Sequence, residues 1–367
     1  MPKQKQPKIS ILVPCYNVEK YLPQCLDSIV GQTLRDIEII VINDGSKDST
    51  LDIIKSYAAR DDRIKIIDKE NEGYGKSMNR GLDAATGEYV GIVESDDWID
   101  ADMFESLVKI ADENNVDVVK SNFYRYTTTD GEKNDLCESL PSYHTDMVIN
   151  PREKTDVFFS SPAIWSAIYK RDFLVKNNIR FLESAGASFQ DTGFNFKVFA
   201  CTTRAYLTTR AWLHYRCDNE NSSVKSTGKV FCVCDEYDEI ERFFRERGEL
   251  NTSMHKLISA VKISTYIWNL DRLGGDAREQ FAHRFETELK SMLAHKYIDK
   301  RYIEPRFWFR ILAKIHNRNI WYKFIRTMLL VTAPICKVRI RGRKKLCILF
   351  GTFFIKLADV PPLTLEK

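Results

Sequence analysis

The chain predicts an α/β fold built on a mainly parallel sheet and followed by a helical C-terminal extension. Three observations carry that expectation. Ile9 to Val13, Ile37 to Ile42 and Tyr89 to Val93 are continuous apolar runs without the alternation of a half-exposed strand. Segments of helical period separate them, and strands buried on both faces with helices between them are the pattern of a parallel sheet. From Lys229 onward the chain changes to long helical segments, 230–247, 252–273 and 277–294.

Taken in order, ISILV ends at Pro14, Cys15, Tyr16 and Asn17, and 18–32 follows with Leu22, Leu26, Ile29 and Val30 on one helical face. IEIIVI ends at Asn43, Asp44, Gly45 and Ser46; Ser46 or Asp48 is placed to cap a helix over 49–59. A third strand over 64–68 leads into a glycine-punctuated loop and helix, NEGYGKSMNRGLDAATG. The fourth strand stops abruptly in Glu94, Ser95, Asp96 and Asp97. Carboxylates crowded at the carboxyl end of a sheet strand repel unless something positive sits among them, and that end is where open α/β sheets bind ligands. Taken alone, the turn reads equally as a cap for the helix beginning near Ala101. A further helix (103–114), a short strand (116–121) and a polar, mixed stretch (127–150) come next, the last being the expected variable loop.

Composition excludes several classes. With 367 residues, 44% apolar and 29% charged, the chain has enough hydrophobic material for a large α/β domain plus an appendage. Nine scattered cysteines without a CxxC pair indicate reduced thiols of a cytoplasmic protein, and Cys232 and Cys234, on an expected helix, suit zinc poorly. MPKQKQPK enters the first strand without an apolar signal region, so export is not expected. PCYN after the first strand lacks the glycines of a dinucleotide or P-loop turn.

PCYNVEKYLPQCLDSIVGQT, EIIVINDGSKDST and NEGYGKSMNRGLDAATGEYVGIVESDDWI, in that order from Lys8 to Asp102, closely resemble the N-terminal half of family 2 glycosyltransferases, which have the GT-A fold. The resemblance implies an inverting enzyme that moves one sugar from a UDP-sugar to a hydroxyl of a glycan acceptor. It places Pro14, Tyr16, Glu19 and Asp44 around the uridine, Asp96 toward the ribose or the metal, and Asp97 as a ligand of Mn²⁺ or Mg²⁺. Asp44 also reads as a residue stabilising its own turn. Lys76 is either a second positive charge for the diphosphate or a solvated lysine. Asn79 and Arg80 are expected to pack or fix loops.

SPAIWSAIYKRDFLVKNNIRF resembles the family segment beneath the acceptor site, where Trp165 and Tyr169 either face a sugar or belong to the core. In GASFQDTGFNFKVFA, residues 186–200, the family's usual acidic pair at a helix start is Gln190–Asp191, so the general base falls on Asp191. His214, in RAWLHYRCDNENSSV, is by the same resemblance either an additional metal ligand or a satisfied core histidine, and Arg216, Asn221 and Ser222 form a candidate flap over the diphosphate.

The domain reading is therefore 1–228 for the GT-A domain, 229–300 for the helical extension and 301–367 for a basic, aromatic tail. Between Arg301 and Lys345 thirteen Lys and Arg face the single acid Glu304, so this stretch carries +12 and the rest of the chain −8 of a total of +4. Its uncharged runs, 327–336 and 346–355, reach half of the roughly 20 residues needed to span a bilayer. A helix of that composition either lies on a membrane, with Lys337, Arg339, Arg341, Arg343, Lys344 and Lys345 toward anionic headgroups, or packs its basic face on the acidic remainder or at an oligomer interface. No nucleic-acid module is present in the sequence. The expected setting is peripheral, on the cytoplasmic face of the cell membrane, with a lipid-linked glycan as acceptor; oligomeric state is open. The rival readings are a non-catalytic nucleotide-sugar-binding or scaffold protein, and a nucleotidyltransferase, which PCYN contradicts.

Overall fold

The computed structural model describes residues 6–129, 131–184, 186, 188–219, 230–299, 302 and 311, and the backbone of 346–349 and 353–356. Asn221, Ser222 and the basic positions 337–345 lie outside the described residues, as do the aromatics of 303–310. The chain divides into two compact units, 1–283 and 284–367.

The first unit begins with β1 (Ile9–Cys15), α1 (Leu22–Val30), β2 (Ile37–Asp44), α2 (Thr50–Ala58), β3 (Ile64–Lys69), α3 (Tyr74–Ala84) and β4 (Tyr89–Ile92). Every residue of β1, β2 and β4 is buried, which is why their sequences show no alternation. The first helix starts four residues later than its periodicity suggests. Pro23 is accepted in a helix's first turn and not in its interior, so the regular helix starts at Leu22 and leaves 18–21 to the loop.

Beyond β4 come β5 (Trp98–Ile99), α4 (Met103–Asn114), β6 (Val118–Thr127), β7 (Lys133–Cys137), β8 (Met147–Ile149), β9 (Ala167–Lys170), α5 (Arg171–Lys176), α6 (Gln190–Cys201) and β10 (Ala205–Arg216). The sheet runs β3-β2-β1-β4-β9-β6-β10-β5, with β7 on β6 and β8 on β10. β1 to β4 pair in parallel, β9 is antiparallel to both β4 and β6, and β10 is parallel to β6. The mixed, mainly parallel α/β sheet is as expected. The expected open loop over 127–150 is instead partly sheet: β7 pairs from Phe123↔Cys137 to Thr127↔Lys133, and β8 from Ala205↔Ile149 to Leu207↔Met147. The β8–β10 pairing is long-range, and the polar strand KNDLC has no periodic signal to reveal its local pairing with β6.

α7 (Cys232–Glu246) and α8 (Thr252–Arg272) complete the first unit together with the start of α9 (Gly275–Ala294). Asn251 caps α8 by accepting the Met254 N–H at 3.0 Å. α7 packs on α6 and on α8, burying Tyr237, Ile240 and Phe244. In the second unit β11 (Leu346–Leu349) and β12 (Phe353–Lys356) form an antiparallel pair, Leu349 opposite Phe353. The run expected as part of a membrane-lying helix is therefore a hairpin. Its Ile and Phe residues suit strands, and Gly351 lies between them. Among the described residues no helix is long and apolar enough to cross a membrane.

Candidate active site

The site is built where the loops after β1, β2 and β4 meet the start of α6. The first two loops are stitched into one wall. Asn17 N–H donates to Ser46 Oγ at 3.1 Å, Lys47 N–H to Asn17 Oδ1 at 2.8 Å, and Ser49 N–H to Glu19 Oε2 at 2.8 Å. Tyr16 stands half exposed on that wall, while Pro14 is buried in β1 opposite Ile42. Asp44 is buried at the end of β2, paired with Lys69 and accepting the N–H groups of Glu72 (2.9 Å) and Gly73 (3.1 Å). Its carboxylate thus holds the glycine-rich loop. Lys76 is paired with Glu72 at 2.6 Å, and Arg80 also binds Glu72. Asn79 fixes a distant segment, donating to Phe181 O at 3.0 Å and Glu183 Oε1 at 2.9 Å and accepting the Phe181 N–H at 2.9 Å.

Two glycines bring that segment, and with it α6, against α3. Gly73 sits at φ 93°, where other residues are strained, and a Cβ there would meet Ser184 O at 2.8 Å. At Gly75 a Cβ would lie 1.9 Å from Leu182 O. Tyr74 N–H closes the approach by donating to Gly186 O at 3.1 Å.

The acidic turn is held from β10. Arg216 N–H donates to Asp97 Oδ1 at 2.8 Å, its Nε to the Asp96 carbonyl at 2.9 Å, and Asn219 Nδ2 to Asp96 Oδ2 at 2.7 Å. The Arg216 guanidinium lies over Tyr21, Trp98 and Tyr126, 4.8 to 5.2 Å from their ring centroids. Asp97 is buried, and its Oδ2 has no hydrogen-bond partner among the described residues. Burial first, then the charge of Asp96, pushes the Asp97 carboxyl well above the ordinary range. Glu94 accepts the Tyr74 hydroxyl at 2.6 Å and is pushed up to about 8 by burial and by the charges of Asp96 and Asp191.

Asp191 lies in the first turn of α6, half-buried, its Oδ1 accepting the Thr192 N–H at 2.8 Å. Burial raises its pKa and the Lys120 charge opposes the rise. Gln190, in the place of the expected first acid, braces the preceding loop: Nε2 donates to Ser184 Oγ at 2.9 Å and Gly186 O at 3.2 Å. Glu94 thus feels both Asp96 of the acidic turn and Asp191.

Three residues stand differently from their functional readings. His214 has both ring nitrogens engaged, Nε2 with Asp100 at 3.0 Å and Nδ1 with Asn134 at 2.9 Å, and is stacked between Trp98 and Tyr124. In this arrangement it ties β10 to β5 and β7 and offers no nitrogen to a metal. Trp165 is buried and stacked on Tyr215, with centroids 5.3 Å apart. Tyr169 is buried too, donating its hydroxyl to Ile164 O at 2.9 Å. Neither presents a face to a sugar.

Two groups near Asp191 were not singled out from the sequence. Lys120 is fully buried in β6, donating to the carbonyls of Pro162 (3.1 Å) and Ala163 (2.7 Å), and burial lowers its pKa to about 7. A lysine inside the apolar run VVKSN was the available signal. Glu236 of α7, 1% exposed, has neither oxygen hydrogen-bonded among the described residues and is pushed up to about 9, by burial first.

Fold and motifs converge on one class, an α/β domain of the GT-A kind. Residues 10–173 match the model of glycosyl transferase family 2, and the sheet is of the GT-A kind. It is 34% identical over 222 residues to the uncharacterized glycosyltransferase EpsJ of Bacillus subtilis, covering 59% of this chain and 62% of that protein. It is 45% identical over 124 residues to the glycosyltransferase GlyA of Streptococcus pneumoniae serotype 4, covering 34% of this chain and 18% of that one. The match thus spans about three fifths of EpsJ and less than a fifth of GlyA. Among solved structures, S. aureus TarS 1-349 in complex with UDP-GlcNAc superposes with a TM-score of 0.69 over 96% of this chain and 99% of that chain, at 18% identity, a likeness of fold.

Proposed function

We propose that this protein is an inverting glycosyltransferase that moves a single sugar from a UDP-sugar to a hydroxyl of a glycan acceptor. The observation that carries the reading is that Tyr74 ties Glu94 of the acidic turn to Gly186 just before α6, where Asp191 also acts on the Glu94 carboxyl. Tyr16, Glu19 and Asp44 sit on the wall suited to the uridine. The imide N–H of uracil needs an acceptor, and Asp44 is a carboxylate already aligned by Gly73 and Glu72.

The turn fits a divalent cation. A buried carboxylate oxygen without a partner, beside a second carboxylate, is costly unless a cation is there. Among the described residues no three His, Cys, Asp or Glu are grouped to hold a metal. Two carboxylates completed by phosphate oxygens and water are the ordinary donor set for Mg²⁺ and also suit Mn²⁺. Bound by Asp97 and Asp96, such an ion supplies Lewis-acid neutralisation of the diphosphate. Asp191 takes the proton of the acceptor hydroxyl as that oxygen forms its bond to the anomeric carbon. The bond from that carbon to the UDP oxygen breaks on the opposite face, so configuration inverts. Lys120 holds Asp191 toward its ionised form, and Arg216 fixes the turn.

The acceptor in this reading is a lipid-linked glycan of surface polysaccharide or lipopolysaccharide assembly, and the basic stretch 301–345 holds the enzyme on the cytoplasmic face of an anionic membrane. The likeness to EpsJ and GlyA, both named glycosyltransferases, supports the transfer chemistry. The test is UDP release across a panel of UDP-sugars with Mn²⁺ and with chelator. At least one sugar should give metal-dependent release; turnover unchanged in chelator removes the role given to Asp97.

A further inference from the structure

An acceptor needs a surface beside Asp191, and the two aromatics singled out for it in the sequence are buried. A different aromatic pair stands there. Phe189, half-buried and held at φ 61°, precedes α6 and is two residues from Asp191, so their Cα atoms are within about 7 Å. Its ring meets Trp268 of α8 edge to face, centroids 6.0 Å apart. The Arg272 guanidinium lies 5.1 Å from the Phe189 centroid and 5.4 Å from that of Trp268, and its Nε donates to Asn269 Oδ1 at 2.7 Å.

Trp268 is 51% exposed in a helix whose residues from Leu257 to Leu270 are otherwise largely buried. Its outward-facing indole is contacted by Phe189 and Arg272. A single indole with one edge-on phenyl ring is far too small for a protein interface, which buries about 1,200 Å² or more. It is the size of one pyranose, whose axial C–H face is apolar and whose rim carries hydroxyls.

We infer that Trp268 and Phe189, steadied by Arg272, form an acceptor subsite on which one pyranose ring of the glycan stacks while a hydroxyl of that ring or its neighbour reaches Asp191. The inference rests on the proposed role of Asp191 and adds the helical extension as the source of acceptor recognition. The Phe189 and Trp268 centroids are 6.0 Å apart, and Phe189 is two residues from Asp191.

The test is calorimetric titration of the full chain, in UDP and Mn²⁺, with cellotriose, maltotriose and triacetylchitotriose. At least one trisaccharide should bind the wild type. Trp268→Ala should weaken it by about tenfold or more, and Trp268→Phe by about threefold or less. UDP affinity and thermal midpoint should stay at the wild-type value in both variants, since the substituted ring is at the surface. Equal trisaccharide affinity in Trp268→Ala, or no binding of any of the three to the wild type, overturns the subsite. Failure of the wild type to bind UDP counts instead against the nucleotide-sugar reading, so the two failures are distinguishable.

Discussion

Asp191 and Lys120 form the most consequential pairing of charges in the molecule. A base works when deprotonated, and burial raises the Asp191 pKa while the lysine cation lowers it. Lys120 itself titrates near 7, so its help is present below that pH and fades above it. Glu94 and Glu236 also face Asp191 and act in the opposite sense once ionised. The sign for Lys120→Met follows: the acid limb of kcat/KM moves to higher pH by about one unit, so activity on that limb falls by about tenfold at most. A pH profile with equal acid limbs removes the electrostatic role of Lys120. At this scale the sequence showed residue types and their order, not their neighbours. Asp97 and Asp191 were legible as carboxylates at a strand end and a helix start; the ring contacts that occupy His214 and the depth of Tyr169 depend on β5, β7 and α6 folding against them.

Elements matter here through how closely they approach. The loop 181–186 meets the start of α3 because Gly73 and Gly75 leave room, and Asn79 then locks the contact. A methyl at position 75 would lie inside the van der Waals radius of Leu182 O, a backbone atom that cannot swing aside. Gly75→Ala is accordingly expected to lower stability by about 1–3 kcal/mol and to reduce transfer by displacing α6. A denaturant midpoint equal to wild type would show that the loop has slack. The central strands were readable because burial on both faces leaves an uninterrupted apolar run. β7 was not, since KNDLC becomes a strand only by pairing with β6; nor was the hairpin of β11 and β12, where ten uncharged residues satisfy a helix or a pair of strands equally.

For the whole molecule, the uneven charge is the feature with the largest consequence. A stretch of +12 attached to a remainder of −8 provides roughly 1 kcal/mol per basic residue near an anionic bilayer. The full chain is expected to float with liposomes containing phosphatidylserine at low salt and to sink at high salt, while a chain ending at Glu304 sinks in both. Flotation undiminished by that truncation would assign membrane attachment elsewhere.

The claim on which the account depends is that the carboxylate at the start of α6 moves the proton while the loops after β1, β2 and β4 hold the nucleotide. Asp191→Asn keeps the side chain's size and removes the base. Measured together, UDP affinity should stay within about twofold of wild type while the rate of sugar transfer falls by ~10² to 10⁴. Transfer at the wild-type rate in that variant would contradict the account.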